Sequence, residues 1–306
     1  MDSYLIAIGT FVGIYALLAL GLNVQWGFTG LVNLGHVGFF AMGAYSTALL
    51  TVHGAPFALG LAMAILMSAC LGALVAMATL RLKEDFLTIV TLGFSEIFRL
   101  VLINEDWLTK GANGVTGIPR PWRQLFSRGG YDLFYLGIIA AVVLIVYLVL
   151  ERMRVSPYGR VLKAIREDDE IASVAGKNVF RFKVQAFTLG AAIAGLAGFF
   201  YAHYITYVSP DTFVPALTIY VWVALIAGGS GNNKGAILGA AVLLGFLEGA
   251  RFVKDFIPFL TDVRLAAARE IMVGLSLILL MFYKQEGILP EERTKSALPA
   301  SPLDKG

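Results

Sequence analysis

At 306 residues, with 58% hydrophobic residues and a mean hydropathy of +0.76, the chain is far more apolar than a soluble globular domain, where about 45–50% is usual. It reads as an integral membrane protein with no room for a soluble domain larger than a loop. The net charge of +3, concentrated in loops, offers no basic face for nucleic acid, and the single cysteine, Cys70, excludes an intrachain disulfide and signals no metal cluster.

A membrane-crossing helix needs about 20 mostly apolar residues. Such stretches lie near 3–24, 33–52, 56–80, 86–103, 133–150, 184–207, 215–229, 235–250 and 270–283. They predict an all-α polytopic membrane protein of eight or nine segments, occupying 1–285, with a polar tail over 286–306 expected to be disordered. Asp2 stands before the first segment without the basic region of a cleaved signal peptide, so that span is expected to stay.

From Gly21 to Tyr45 the chain carries Gly21, Gly27, Gly30, Gly35 and Gly38 together with Asn23, Gln25, Asn33 and His36, which predicts a broken helix. Irregular backbone is tolerated at membrane depth only where protein covers it or it lines a wet cavity. Broken helices supply polar contacts in transporters, which places Gln25, Asn33, His36 and Tyr45 near a solute pathway. The competing reading is that the glycines permit close packing and the amides cross-link helices. Glu96, inside the fourth stretch, is a further pathway candidate by virtue of its depth, although Arg99 one turn on can satisfy it.

The segment 104–132 reads as an outer loop, dense in turn formers over 108–119. A charged island at 151–183 follows, holding thirteen of the chain's forty-five charged residues. It reads as one or two short helices: Ser156 is a good N-cap, Pro157 suits the first helical position and Gly176 is a natural stop. Tyr158, Val161, Leu162 and Ile165 then share one apolar face, which needs a partner or a lipid surface. The mixed charge of the island argues against anionic lipid. Gly231, Gly235 and Gly239, and again Gly245 with Gly249, show the small-residue spacing of tightly packed membrane helices. Glu248 has Arg251 as an i+3 partner.

Short loops rich in Lys and Arg stay in the cytoplasm. Arg81 and Lys83, the island and Lys284 therefore mark the inside, with 104–132, 208–214 and 251–269 outside and the C-terminus inside. The side of the N-terminus depends on how the broken stretch is counted. Catalysis has no support: His36, His53 and His203 are scattered, Asp168, Asp169 and Glu170 lie among basic residues on a solvated face, and no nucleotide-binding motif occurs. Any ATP must be hydrolysed on another chain.

The island segment Ser156-Pro-Tyr-Gly-Arg-Val-Leu-Lys-Ala-Ile-Arg-Glu-Asp168, with Glu170-Ile-Ala172-Ser-Val-Ala-Gly176, resembles the cytoplasmic loop of the permease subunits of branched-chain amino acid ABC importers, the LivM-like proteins. Glu170-x-Ala172-x-x-x-Gly176 is similar to the loop by which importer permeases dock their ATPases, with Ile171 in place of the second Ala. Gly27-Phe-Thr-Gly-Leu-Val-Asn-Leu-Gly-His36, Gly43-Ala-Tyr45, Thr109-Lys-Gly111-Ala-Asn-Gly114, Ala194-Gly-Leu-Ala-Gly198, Ser209-Pro210 and Gly228-Gly229 continue the resemblance in order over about 20–285. Asn33 stands where many members have Ser, and Lys110 where Gly is common.

The resemblance implies a permease of the bacterial inner membrane that binds no cofactor itself. Its partners would be a sister permease subunit, commonly forming a heterodimer, two cytoplasmic ATPase subunits holding ATP and Mg, and a periplasmic solute-binding protein. The island would be the coupling helix. Tyr158, Gly159, Arg160, Leu162, Ala164, Ile165, Arg166, Glu167, Asp168, Glu170, Ala172 and Gly176 would carry the ATPase contact, with the apolar face entering the ATPase cleft. The solute would be a branched-chain amino acid or, as in relatives of this general type, another amino acid, an amide or urea. The alternative is a stand-alone secondary transporter or channel for a small polar solute.

Overall fold

A computed structural model describes residues 2–80, 84–126, 128–253, 262–283 and 286–291. Arg81, Lys83, Lys284, part of the 251–269 loop and the tail beyond Glu291 lie outside the described residues. The long helices are α1 (Asp2–Leu22, continued by a π-turn over Asn23–Gly27), α2 (His36–Val52), α3 (Phe57–Thr79) and α4 (Glu84–Asn104). A one-turn α5 (Asp106–Thr109) precedes α6 (Arg128–Val155), and the island forms α7 (Pro157–Glu167) and α8 (Asp169–Val174). The rest comprises α9 (Val179–Ile205), α10 (Pro215–Gly228), α11 (Asn233–Val253) and α12 (Asp262–Tyr283). Each of the nine apolar stretches lies mostly on a helix, with that over 33–52 becoming helical only at His36. Among the described residues, six helices are long and apolar enough to cross a membrane: Tyr4–Gly27, Phe57–Thr79, Phe86–Asn104, Gly130–Val155, Val179–Ile205 and Pro210–Gly228.

α1 is apolar on all sides, and its second half runs through the core of the bundle. Ile14, Leu17, Leu18, Ala19 and Leu20 are fully buried against α6, α9, α10 and α11. The second axis is α9, whose small residues let α2 and α3 approach to backbone contact. A Cβ at Gly198 would stand 2.6 Å from Ala44 N, and one at Gly195 would stand 2.6 Å from the Ala64 carbonyl. Leu66 and Leu74 on α3, Ile89 and Ile97 on α4, and Ile145 and Val149 on α6 point outward. Such an exposed apolar shell requires a bilayer to cover it.

In the glycine ladder, Gly228, Gly235 and Gly239 pack α10 on α11 with no space for a Cβ. Gly231 instead serves the turn between them, at φ +78°, and Gly245 has open space beside it. Close packing therefore explains only part of the pattern.

The bundle has two distinct ends. At one, the carbonyl of Gly27 accepts from Arg166 of α7, and the α10–α11 turn lies beside them. At the other, Tyr4 Oη donates to Glu248 Oε2 at 2.8 Å. Arg251's side chain lies outside the described residues. The N-terminus thus stands at the end opposite the island. The expectation that order ends with the last span fails for Glu286–Glu291: the amides of Ile288 and Leu289 donate to the carbonyls of Ala227 and Gly228, each at 2.9 Å.

Opposite the island, 104–126 folds into an ordered cover. β1 (Val115–Thr116) pairs antiparallel with β2 (Tyr207–Val208), a two-residue ribbon within an otherwise helical protein. The cover turns at Lys110, held at φ +61°, a left-handed conformation that costs a non-glycine residue about 1–2 kcal/mol. A glycine there relieves the strain but adds about 0.4–1 kcal/mol of unfolded-chain entropy. Lys110→Gly is therefore expected to stabilise the detergent-solubilised protein by about 0.5 kcal/mol in denaturant unfolding. A loss of stability would show that the lysine side chain contributes more than its backbone costs.

Candidate functional site

The helix begun by α1 ends at Gly27, and the chain resumes helical form only at His36. The backbone between them is buried, so its polar groups must find partners inside the protein. The amides of Phe28, Gly30 and Leu31 return to the carbonyls of Asn23, Trp26 and Gln25 at 2.8–3.0 Å. Side chains from other elements supply further partners. Thr91 of α4 accepts from Leu34 N at 3.2 Å, Thr218 of α10 accepts from Val37 N at 3.0 Å, and Trp222 Nε1 donates to the Asn33 carbonyl at 3.0 Å.

Gln25 and Asn33, both fully buried, complete this bracing. Gln25 Nε2 donates to the Phe187 carbonyl of α9 at 2.9 Å. Its Oε1 accepts from Asn33 Nδ2 at 2.8 Å, while Asn33 Oδ1 accepts from Gly35 N at 2.8 Å. His36 Nε2 lies 3.2 Å from the Leu18 carbonyl. These three candidates are brought together as cross-links. Tyr45 lies elsewhere, packed against Phe213 at 6.0 Å between ring centroids, and Glu96 lies on the flank of α4. There Arg99 closes on Glu96 with bonds of 2.6 and 3.0 Å. The hydroxyl of Tyr45 and Nδ1 of His36 are buried without a hydrogen-bond partner among the described residues, so these two retain polar capacity that Gln25 and Asn33 have spent.

The island folds as two capped helices. Ser156 Oγ accepts from Gly159 N at 3.3 Å, Asp168 Oδ1 accepts from Ile171 N at 2.9 Å, and Gly176 ends α8 at φ +78°. The apolar face expected to meet a partner is turned the other way. Leu162 is fully buried and Ile165 is 3% exposed, and Tyr158 packs on Phe182 of α9 at 5.4 Å, with burial pushing its phenol pKa up. A helix resting on a bundle buries its apolar stripe there. Gly159 is buried at the α6–α7 joint, where a Cβ would stand 2.7 Å from the carbonyl carbon of Arg154.

The outward surface is different. Arg160, Ala164, Glu167, Asp168, Glu170 and Gly176 are exposed, while Ala172 is buried. Ile171 and Val174 on α8 are 68% and 90% exposed, an apolar pair surrounded by charge. Lys183 Nζ ties α8 to α9 through Asp169 Oδ2 at 2.7 Å.

Arg166 and Lys163 do not face outward either. Both reach Glu291, with Lys163 Nζ 2.5 Å from Oε1 and Arg166 Nη2 2.7 Å from Oε2. Burial alone would raise the Glu291 pKa; hydrogen bonds from the two cations outweigh it and hold the carboxyl below its ordinary value. Beside this cluster, Asn23 Nδ2 donates to Asn233 Oδ1 at 3.0 Å, and Asn233 Nδ2 donates to Glu151 Oε2 at 3.0 Å. Sequence reasoning missed Glu291, Asn233 and Glu151, whose partners lie far off in the chain. The only signals were an acidic residue just past the last span and amides inside a glycine-rich turn.

Toward the opposite end a cavity of about 520 Å³ opens between α1, α10, α11 and α12. Its walls include Tyr4, Tyr15, Phe40, Tyr201 and Tyr220, with Glu248 and Glu270 as its acids. Tyr220 Oη donates to Glu270 Oε1 at 2.8 Å, as Tyr4 does to Glu248. A mostly apolar chamber of this size with a few convergent polar groups is what a small ligand needs, and two carboxylates favour a cationic group on it.

Residues 4–282 match the model of the branched-chain amino acid transport system permease component family. The LivM high-affinity branched-chain amino acid permeases of Salmonella typhimurium and Escherichia coli are each 36% identical over 95% of this chain and 71% of the relative. A probable LivM permease of Methanocaldococcus jannaschii is 28% identical over 92% of this chain and 91% of its own. No solved structure matches. With the family model spanning nearly all of the buried bundle and the island, the chain belongs to the branched-chain amino acid transport system permease component family.

Proposed function

We propose that the chain is the membrane-spanning permease subunit of an ATP-binding-cassette importer that moves branched-chain amino acids. The observation that carries this reading is the 36% identity to LivM permeases over 95% of the chain. In it the island, the α10–α11 turn and Glu286–Glu291 face the cytoplasm, and the β1–β2 cover and Tyr4 face the periplasm. The helices supply eight or nine membrane segments. A sister permease, two ATPases carrying ATP and Mg, and a periplasmic binding protein complete the assembly.

The coupling surface is the outer edge of the island. With Leu162 and Ile165 seated on the bundle, α7 acts as a bearing and α8 offers Ile171 and Val174 to the ATPase, flanked by Glu167 and Glu170. ATP favours the conformation with closed ATPases, and the island passes that bias to the membrane helices by population shift. A solute with an ammonium group and a branched apolar side chain suits the cavity, where Glu248 and Glu270 favour the charge and the tyrosines and Phe40 the hydrocarbon. Of the pathway candidates, His36 and Tyr45 keep polar atoms for a passing solute. Gln25, Asn33 and Glu96 would act through the helices they brace.

Reconstitution tests the whole reading. Proteoliposomes holding the complete assembly and binding protein are expected to accumulate radiolabelled leucine only with internal ATP. Ion-gradient-driven uptake by the isolated chain would overturn it. The coupling surface has its own test: burying a charge in an interface hot spot costs roughly 2 kcal/mol or more, so Ile171→Asp with Val174→Asp should cut ATPase co-purification by at least about tenfold. Tyr158→Ala should lower thermal stability while leaving that co-purification in place.

A further inference from the structure

The segment Glu286–Glu291 is seated on the α10–α11 turn. Gly287, at φ +73°, makes the bend so close that a Cβ there would stand 2.5 Å from Gly229 N. The amides of Ile288 and Leu289 then satisfy the carbonyls of Ala227 and Gly228, which the end of α10 leaves without helical partners. Asn232 Nδ2, on the turn, returns bonds to the carbonyls of Leu289 and Pro290 at 3.3 and 3.1 Å. Four hydrogen bonds thus fix a strap whose last described residue, Glu291, is delivered to α7.

There one carboxylate takes two cations on successive turns, Lys163 on Oε1 and Arg166 on Oε2. The three side chains are only 19%, 26% and 20% exposed, so salt screens them less than a surface pair. Arg166 spends its other terminal nitrogen on the Gly27 carbonyl, at the broken end of α1. Its aliphatic stem lies against Gly30, where a Cβ would stand 3.3 Å from Arg166 Cγ. Asn23 already ties the end of α1 to the α10–α11 turn, through Gly231 N and Asn233 Oδ1, and Glu291 with Arg166 adds the coupling helix α7 to that joint.

We propose that Glu291, held by this strap, is a positioning residue that locks the coupling helix to the α10–α11 turn and to the end of α1, so that displacement of the island moves those membrane helices together. The apolar seat under Leu162 and Ile165 cannot do this alone, because hydrophobic contact is non-directional and lets α7 slide. Charge-assisted bonds at a forked guanidinium fix both direction and register. The strap's amides carry that constraint across to α10 and α11. The proposal rests on the permease reading, and its test separates the two.

In proteoliposomes holding the complete assembly, both ATP hydrolysed and leucine taken up are measured. Glu291→Ala is expected to keep the ATPase subunits bound and hydrolysing while leucine moved per ATP falls about tenfold, a typical size for coupling between two sites. Asn232→Ala removes two of the strap's four hydrogen bonds, together with the bonds its Oδ1 accepts from Lys234 N and Gly235 N at the start of α11, without touching the ion pairs, and should uncouple in the same direction but less. Glu291→Asp, which keeps the charge, should restore most of the ratio. Loss of stability alone would lower uptake and hydrolysis together and leave their ratio unchanged. Wild-type leucine per ATP in either alanine variant would overturn the clamp, and so would a Glu291→Asp variant no better than Glu291→Ala. If the wild-type assembly shows no ATP-dependent uptake, the permease reading falls instead.

Discussion

Between Gly27 and His36 the chain runs as irregular, largely buried backbone within the bundle, and its buried polar groups need partners inside the protein. The layout of the molecule follows from this requirement. Gln25 draws in the Phe187 carbonyl of α9, Leu34 needs Thr91 of α4, and Val37 and Asn33 need Thr218 and Trp222 of α10. Helices far apart in sequence are pinned around one break. The carbonyl of Gly27, left at the open end of the π-turn, takes Arg166, and so fixes where the island sits.

That placement decides which face of the island remains available. An amphipathic helix has one apolar stripe, and here the bundle takes it, leaving α7 with charge outward and α8 with Ile171 and Val174. Lys163 and Arg166, which would have been natural partners for an acidic groove, are engaged within the chain by the one carboxylate of Glu291. A buried apolar face, a pair of internally bound cations and a small exposed apolar edge are three separate surfaces on barely twenty residues.

The sequence was readable where the determining physics is local. Apolar length gave the helices, the glycine and amide density of Gly21 to Gly38 gave the break, and Ser156, Pro157 and Gly176 gave the caps of the island, since a cap depends on residues three or four apart. The orientation of the apolar face was not readable, because periodicity says which residues share a face and not what that face meets. Glu291 was hidden for a related reason. In a polar tail rich in turn formers, one glutamate looks like any other until the partner charges of α7, over a hundred residues earlier, are brought beside it. Lys110 shows the reverse case: it stands where the resemblance makes Gly common, and the structure gives it the left-handed φ that favours glycine.

The clamp and the cavity lie toward opposite ends of the molecule, and the same helices join them. α1 presents Tyr4 and Tyr15 to the cavity and ends at the Gly27 carbonyl held by Arg166. α10 presents Tyr220 and ends at Gly228, under the strap, and α11 begins at Asn233 beside Glu151 and reaches Glu248 in the cavity wall. A closely packed helix behaves as a stiff rod because its interior neighbours leave it no slack. Gly228, Gly235 and Gly239 make α10 and α11 one such body, backbone against backbone. A movement applied at α7 through Glu291 therefore reaches the cavity by tilting rods already built into the fold, with no need for a chain of side-chain rearrangements between the two ends.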